Sequence, residues 1–490
     1  MAQSPSTPCA VVVLAAGAGT RMKSATQKTL HAIGGRTLLS HALHAADGLG
    51  PEHIVAVVGH QRDQVGPEVE KVAAELGREV VQAVQEEQNG TGHAVACGLA
   101  PLGEYEGTVI VTNGDVPLLT AETIEGLYRA HVDAQAAVTV LTMKLTDPTG
   151  YGRIIRDADD EVTAIVEQKD ATTEQLAVDE VNSGVFAFDG AVLRDALTRI
   201  DTDNAQGELY LTDVLGVARA DGHTVSAHVA ADPRELAGVN NRVQLAEAGK
   251  ELNRRLVEQA MLGGATIIDP DTVWIGVNVR IGQDVTIHPN TQLWGATTIA
   301  DGAVIGPDTT LTDMSVGERA SVIRTQGERS AIGADATVGP FTYIRPNTVL
   351  GNRGKLGGFV EAKNATIGAG SKVPHLTYIG DATVGVESNI GASSVFVNYD
   401  GVKKHHTTIG DHVRTGSDTM FVAPVTVGDG AYSGAGTVIT KDVPAGALAI
   451  KEGRQRNIEG WVEEKRPGTP AAEAARAARE RATNEDNQEG

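Results

Sequence analysis

Cysteine is almost missing. Only Cys9 and Cys97 occur in 490 residues, so neither a disulfide framework nor a cysteine-based zinc site is available. Aromatics make up only 3%, which speaks against a nucleic-acid stacking surface and against a sandwich core. Positive charge is in deficit: 41 Lys and Arg face 63 Asp and Glu, a formal net charge of −22. That balance argues against nucleic acid or an anionic membrane as partner, and any phosphate site must be a local basic cluster. No apolar run approaches the roughly 20 residues of a membrane span, and the leading MAQSPSTP has no signal-peptide core. These absences predict a soluble, cytoplasmic protein. Glycine, by contrast, is abundant at 57 residues, as in repetitive small-residue β architecture. The length is too great for one core and predicts two or more domains.

The stretch VVVLAAGAGTRMKSATQK, Val11 to Lys28, runs a β-branched strand into a glycine-rich, basic loop. It fits neither standard phosphate template. The third glycine of G-x-G-x-x-G is Met22, and no G-x-x-x-x-G-K-[ST] string follows Gly17. Small residues let backbone N–H groups approach phosphate, and Arg21 and Lys28 add fixed cations. Lys23 is explained as well by solvation.

The rest of the first half alternates strand-like runs (HIVAVVGH, EGTVIVTNGDVP, AAVTVLTMKL) with helix-like ones (LLSHALHAADGLG, TAETIEGLYRAHV). That order predicts a doubly wound parallel sheet with ligands at the carboxyl ends of its strands. Thr120 is placed to cap its helix, but Thr123 stands where a capping box needs Glu or Gln. A polar helix-like arm follows, with Leu245, Leu252 and Leu256 on one face.

After Gly264 the period changes. Ile275, Ile281, Ile287, Leu293, Ile299, Ile305 and Leu311 recur at every sixth residue. The register slips by one near Val316 and resumes at Ile332, Val338, Ile344, Leu350 and Leu356, then through Ile367, Val373 and Ile379, and again from Ile409 and Val427. Such a hexapeptide repeat predicts a parallel β-helix with the aliphatic residues inside a prism. Val397 to Thr408, VNYDGVKKHHTT, breaks the coil and reads as a functional or subunit-contact loop. The boundaries read from these patterns are 1–240, 241–263 as a linker helix, 264–465, and a tail 466–490 that is disordered or marginally helical.

The strings LAAGAGTRM, QNGTGHA, GDVPLL, DPTGYGRI, VEQKDA, VNSGV, NAQGELYLTD and GVNNRVQL resemble the nucleotidyltransferases that make sugar nucleotides. The repeat half carries IRPNT, VEAKNATIG, PHLTYIGD, NIGA, VNYDG and GSDTMFVAPVTVG. Both sets, in this order, resemble the bacterial family of bifunctional N-acetylglucosamine-1-phosphate uridylyltransferase / glucosamine-1-phosphate N-acetyltransferase, over roughly residues 9 to 465. The resemblance implies a Rossmann-like α/β nucleotidyltransferase domain with a mostly parallel sheet, then a left-handed parallel β-helix that forms homotrimers. It implies UTP, acetyl-CoA and glucosamine 1-phosphate as substrates, Mg²⁺ as cofactor, and a role in supplying cell-envelope precursor.

Residue by residue, the resemblance puts Leu14, Ala15, Ala16, Gly17, Gln85, Gly90 and Thr91 around the uridine, and Arg21 and Lys28 on the triphosphate as catalytic cations. Asp115 and Asn240 correspond to the metal ligands. Two oxygen donors plus substrate phosphates suit Mg²⁺. Gly152, Glu167 and Asn182, with Asn240, correspond to the sugar-phosphate positions. In the repeat half His375 corresponds to the base that takes the amine proton, a task suited to histidine. Arg345, Lys363, Tyr378 and Asn389 correspond to substrate contacts. Asn398 and Tyr399, with Lys404 beyond, approach acetyl-CoA, and Ala392, Ser417 and Ala435 line its groove. A cation for the cofactor phosphates falls at Lys451 or Arg454, with Glu452 between them. His405 and His406 read as solvated or at a subunit contact. Two departures stand out: Gln27–Lys28 replaces the family's Pro-Lys, losing a rigid turn, and Gly357–Gly358 replaces Gly-Asn. Competing readings are a glucose-1-phosphate adenylyltransferase with a regulatory β-helix and a non-catalytic scaffold.

Overall fold

In the first half, the hydrophobic residues are spaced to serve both faces of one sheet. Val11 and Val13 of β1 (Thr7–Ala15) pack into one core and Val12 into the other, the period-2 alternation of a strand buried on both sides. The computed structural model describes residues 7–59, 61–451, 453, 455 and 457–486. A small ribbon, β2 (Ala32–Ile33) and β3 (Arg36–Thr37), follows the glycine-rich loop. The sheet is completed by β4 (Pro51–Val58), β5 (Val81–Val84), β6 (Thr108–Asn113), β7 (Val138–Lys144), β8 (Arg153–Arg156), β9 (Val162–Val166), β10 (Glu180–Asp189) and β11 (Val225–Val229). Its order is β11-β7-β10-β6-β1-β4-β5.

Helices Leu38–Gly48, Arg62–Leu76 and Ala121–Asp133 cover one face, and Thr91–Leu99, Gly190–Leu197 and Asp213–Ala220 the other. Thr120 caps its helix by accepting from Thr123 N. The sheet is mixed rather than wholly parallel, because β10 runs antiparallel to both β6 and β7. The cause is local. After β7 the chain stays at the carboxyl edge as the β8–β9 hairpin, and β10 starts beside the end of β7, Glu180 opposite Lys144.

Beyond Gly264 the sixfold period becomes a three-sided coil. Ile281, Ile299, Val316, Ile332, Leu350, Ile367, Val384, Ile409 and Val427 stack on one another in parallel register. Ile287, Ile305, Val322, Val338, Leu356 and Val373 form a second column, and Ile275, Leu293 and Leu311 begin the third. The slip at Val316 is absorbed within the single strand Thr309–Val316, which turns a corner at Asp313 with φ 52°.

The first coil presents an open strand edge, and the long helix Arg242–Leu262 closes it. Leu256, Val257 and Ala260 pack on the prism core, while Leu245 and Leu252 pack with Ile33 and Leu118 of the sheet domain. The leucine stripe is thus shared between two cores. Asn253, buried in this joint, donates from Nδ2 to Val273 O at 2.8 Å and accepts from Ile275 N at 2.9 Å.

Residues Pro470–Asp486 form a helix, with Pro at its first position and Thr469 Oγ1 accepting from Ala472 N. Both are helix-start devices, and the alanine-rich sequence has high helix propensity. Among the described residues no helix is long and apolar enough to cross a membrane.

Asn253→Leu orphans two buried backbone groups at the prism's end, each costing about 1–3 kcal/mol. The expected result is faster hydrogen exchange at the Ile275 amide and a lower midpoint of unfolding in urea. Unchanged exchange there would mean that the edge is closed by other means.

Candidate functional site

Two clusters of polar side chains stand apart from these cores. The first opens at the carboxyl ends of β1, β5 and β6, where the strand order turns back on itself beside β1, the usual place for a ligand crevice. A cavity of about 270 Å³ there is lined by Leu14, Ala15, Ala16, Gly17, Lys28, Gln85, Gly90, Thr91 and Asp115, and also by Thr29, Gln88, Asn113 and Glu208. All seven residues assigned to uridine therefore line one space.

The loop after β1 is shaped by close approach. Gly19 has φ 60°, and a Cβ there would lie 2.4 Å from Lys28 Cβ, so only glycine lets the two segments touch. Lys28 Nζ contacts Asp115 Oδ2 and donates to Asn240 Oδ1 at 3.3 Å. Arg21 Nη2 donates to the same Asn240 oxygen at 2.8 Å. Four residues from three distant segments thus meet at one point. Asn240 is brought there by its neighbour Asn241, which caps the long helix by accepting from Val243 N and Gln244 N. Asp115 and Asn240 fit a divalent cation: both offer oxygen, and both already face the same ammonium, so a positive charge suits the gap between them.

The sugar-phosphate candidates adjoin this cavity. Asn182 N donates to Gly152 O at 2.9 Å, and Asn182 Oδ1 accepts from Gly184 N at 2.8 Å. A Cβ on Gly152 would meet Glu167 Oε1 at 3.3 Å. Asn113 Nδ2 donates to Gly184 O at 3.3 Å, linking this group to the end of β6. Burial, then the charges of Asp170 and Asp213, push the Glu167 carboxyl up.

Gln88 was not among the expected residues. Its Nε2 donates to Ala16 O at 2.6 Å, tying the Gln85–Thr91 segment to the loop after β1. Its signal was its place in the string QEEQNGTG, two residues before Gly90. Glu208 sits likewise inside NAQGELYLTD, quoted for its resemblance but not for any one residue.

The second cluster lies on the β-helix. Ser393 N donates to His375 O, Asp418 N to Ala392 O and Gly436 N to Ser417 O. His375, Ala392, Ser417 and Ala435 therefore occupy successive levels of one column, with Gly358 one level below His375. Above the histidine the column continues in small residues. The glycine that replaces the family's asparagine leaves no side chain under the imidazole.

Among the other residues assigned to acetyl transfer, Arg345 Nη1 donates to Glu361 Oε1 at 2.8 Å. Tyr378 Oη accepts from Asn398 Nδ2 at 3.2 Å, and the same Nδ2 donates to Asp381 Oδ2 at 2.6 Å. Asn389 bridges between Lys372 and Arg414 on neighbouring coils. The insertion is a short hairpin pinned by Asp400, which accepts from Val402 N and Lys403 N. Tyr399, half-exposed, pairs with Lys404 across it.

Lys404 faces Lys363, and the hydrogen bond and like charge between them lower the Lys363 pKa. Lys404 thus joins the cationic group of Lys363 and Arg345. His405 Nε2 lies 2.7 Å from Asp400 Oδ2, and His406 Nε2 lies 3.0 Å from Thr383 Oγ1. Lys451 is exposed at the end of the coil; Glu452 and Arg454 lie outside the described residues.

Comparison with known proteins agrees with this division. A MobA-like NTP transferase domain matches residues 11–175. Bacterial transferase hexapeptide repeats match residues 278–313, and the hexapeptide repeat of succinyl-transferase matches 406–441. Bifunctional protein GlmU of Corynebacterium aurimucosum is 73% identical over 479 residues, covering 98% of each chain. The Corynebacterium glutamicum protein of the same name is 73% identical over 481 residues, again with 98% of each covered. That of Rhodococcus opacus is 63% identical over 473 residues, 96% of this chain and 95% of its own. Identity at this level through both halves, over two clusters assembled from the quoted strings, places the chain in the Bifunctional protein GlmU family.

Proposed function

We propose that the chain acetylates glucosamine 1-phosphate with acetyl-CoA. It then transfers uridylyl from UTP to the N-acetylglucosamine 1-phosphate formed, releasing pyrophosphate and giving UDP-N-acetylglucosamine for the cell envelope. Residues 1–240 carry uridylyl transfer and 264–465 acetyl transfer, with 241–263 joining them. The observation that carries this reading is the convergence of Arg21, Lys28, Asp115 and Asn240 at the mouth of a cavity floored by the Leu14–Gly17 backbone.

In uridylyl transfer a phosphate oxygen of the sugar attacks the α-phosphorus of UTP, and the bond to pyrophosphate breaks. The nucleophile is already an anion, so positioning and charge neutralisation carry the catalysis. Lys28 and Arg21 hold the triphosphate and stabilise the charge that gathers on the leaving pyrophosphate. Gln85 reads the uracil imide with one donor and one acceptor. Gly152, Glu167 and Asn182 hold the sugar. Asp115 and Asn240 would hold Mg²⁺, whose positive charge would offset repulsion between the two anionic reactants.

In acetyl transfer the amine nitrogen attacks the thioester carbonyl, and the C–S bond breaks. His375 takes the amine proton and returns it to the departing thiolate. Arg345, Lys363 and Lys404 hold the sugar phosphate, while Tyr378 and Asn389 orient the ring. Asn398 and Tyr399 meet the acetyl end of the cofactor, and the pantetheine arm lies along Ala392, Ser417 and Ala435.

A homotrimer through the β-helix is supported by the corner next to this column. Phe341, Phe359 and Leu376 follow one another up it at φ 60°, 58° and 50°, and they are 54%, 62% and 58% exposed. Bulky apolar residues in left-handed conformations are costly, and a contiguous exposed patch of them suits a neighbouring subunit. The cytoplasm is the fitting location. An adenylyltransferase with a regulatory tail leaves the His375 column without a use, and a scaffold leaves the Lys28 cluster without one.

His375→Ala is expected to cut acetyl transfer by about 10²- to 10⁴-fold and to spare uridylyl transfer. Asp115→Ala does the reverse. Separate assays of free thiol and of pyrophosphate check both, and loss of both activities in either variant counts against two independent sites. A pH profile tests the cation pair. The Lys363 pKa lies below that of an ordinary lysine because Lys404 adjoins it, so Lys363 loses its proton at lower pH than usual and sugar-phosphate binding fails early on the alkaline side. Removing the neighbour in Lys404→Met raises that pKa. The alkaline limb of kcat/KM should then move to higher pH while binding at neutral pH weakens; a limb that stays put rejects the pairing.

A further inference from the structure

Gln27 stands immediately before Lys28 and is only 3% exposed, so its carboxamide must find its partners inside the protein. Nε2 donates to Gly17 O at 2.9 Å and lies 3.5 Å from Ala15 O. Oε1 accepts from Thr29 N and from Thr29 Oγ1, both at 2.6 Å. The backbone N–H of Gln27 donates to Gln64 Oε1 at 3.0 Å, and Gln64 Nε2 donates in turn to Ala25 O at 3.2 Å. Donor and acceptor ends of one amide therefore join two segments. One is the end of β1, whose backbone floors the cavity. The other is the turn Lys28–Leu30, which Gln27 also caps.

We propose that Gln27 is a positioning residue for uridylyl transfer. Its carboxamide clamps the Gly17 carbonyl to Thr29 and so fixes where Lys28 leaves the backbone. The proposal rests on the uridylyl-transfer reading of this cavity. The physical need is plain. Lys28 lies on a loop between β1 and β2 with no sheet bonds of its own, and its side chain must meet Asp115 and Asn240 at one point. Gly19 lets the loop fold against Lys28 but adds no restraint. A carboxamide is suited to the task because Oε1 receives two donors while Nε2 supplies one to a carbonyl. Glutamate has the same length and can accept from Thr29, but when ionised it turns an oxygen toward Gly17 O. Backbone angles at Gln27 are φ −59° and ψ 143°, which proline also adopts. Ring closure at this position would restrain the turn by a different route, at the loss of the N–H bond to Gln64.

The test uses the full-length chain and follows both activities, with acetyl transfer as the internal control for folding. Gln27→Glu and Gln27→Ala are expected to lower uridylyl-transfer kcat/KM roughly 10- to 100-fold, the range expected when a catalytic group is displaced by about 1 Å. The loss should fall on kcat more than on KM for UTP, and acetyl transfer should be unchanged. Gln27→Pro should retain clearly more kcat than Gln27→Ala. If Gln27→Glu matches the parent, the bond to Gly17 has no role and the proposal is overturned. It is overturned equally if the variants lose only thermal stability, with kcat intact below the transition, or if Gln27→Pro is no better than Gln27→Ala. A parent enzyme without uridylyl transfer defeats the underlying reading instead, and the clamp with it.

Discussion

On a polypeptide that carries a formal charge of −22, the first half nevertheless gathers two cations, Arg21 and Lys28, at one point beside Asp115 and Asn240. A lysine on a solvated loop would be screened by salt and would lose side-chain entropy on binding. Here the ammonium is largely enclosed, with only 13% of the side chain exposed, and it faces Asp115 on one side and Asn240 on the other. The arrangement depends on three segments that share no local structure: the loop after β1, the end of β6 and the start of the long helix. The central sheet aligns the first two, because β1 and β6 are neighbours paired residue by residue from Cys9 opposite Thr108 to Leu14 opposite Asn113. The capped helix brings in the third. Core packing far from any substrate is thus what concentrates positive charge at one place in an acidic protein.

The β-helix solves its own positioning problem by a different route. Its sites arise by stacking, since every coil repeats the same three sides and residues one coil apart share a column. A column of small residues ending on a histidine needs no convergence of distant segments, only a preserved register. Register in turn depends on the corners, where left-handed residues such as Asp308, Asn347, Asn364 and Asp381 turn the chain. Short polar side chains tolerate that conformation best, and Asn364 with Asp381 also bond each other at 2.6 Å, one above the other. The insertion after Val397 leaves the coil directly above this polar corner and is tied to it through Asn398 and Asp381. The ladder that holds the prism together therefore also holds the inserted loop.

Much of this was legible in the order of residues. The six-residue period survives in sequence because each side of the prism turns one aliphatic residue inward, and the columns through Ile299 and Ile305 follow it directly. Lys28, Asp115 and Asn240 were legible as parts of strings, though not as a cluster, because sequence spacing carries no information on which loops meet. The direction of β10 was not legible, since a buried strand reads the same way up or down. The partners of Lys404 and His405 were hidden for a similar reason. They depend on how tightly the hairpin turns, and that is set by Asp400 accepting two backbone N–H groups, which also holds its pKa well below the usual carboxylate range. Gln27 was visible only as the loss of a proline. Its compensating bonds to Gly17 and Thr29 need the folded loop to exist. In the tail, composition left disorder and a marginal helix open, while Thr469, Pro470 and the alanines that follow are locally consistent with a helix.

The joint between the halves suggests why they sit in one chain. A solenoid is stable only if its terminal coil is covered, because the exposed edge offers unpaired backbone groups and a bare apolar end. Here the cover is the helix that follows Asn240. Its side chains Leu256 and Val257 seal the prism, and Asn253 pairs the first coil's free N–H and C=O. In return the first coil supports the uridylyl half: Val277 N donates to Gly34 O at 2.9 Å, and Arg36 Nη2 donates to Asn278 Oδ1 at 2.7 Å. Gly34 and Arg36 belong to the ribbon that begins only four residues after Lys28. The same few residues that close one fold therefore steady the loop and the helix start that build the other's cationic centre. Separating the halves would expose an apolar prism end on one fragment and, on the other, remove the outer support of the ribbon and of the helix that presents Asn240.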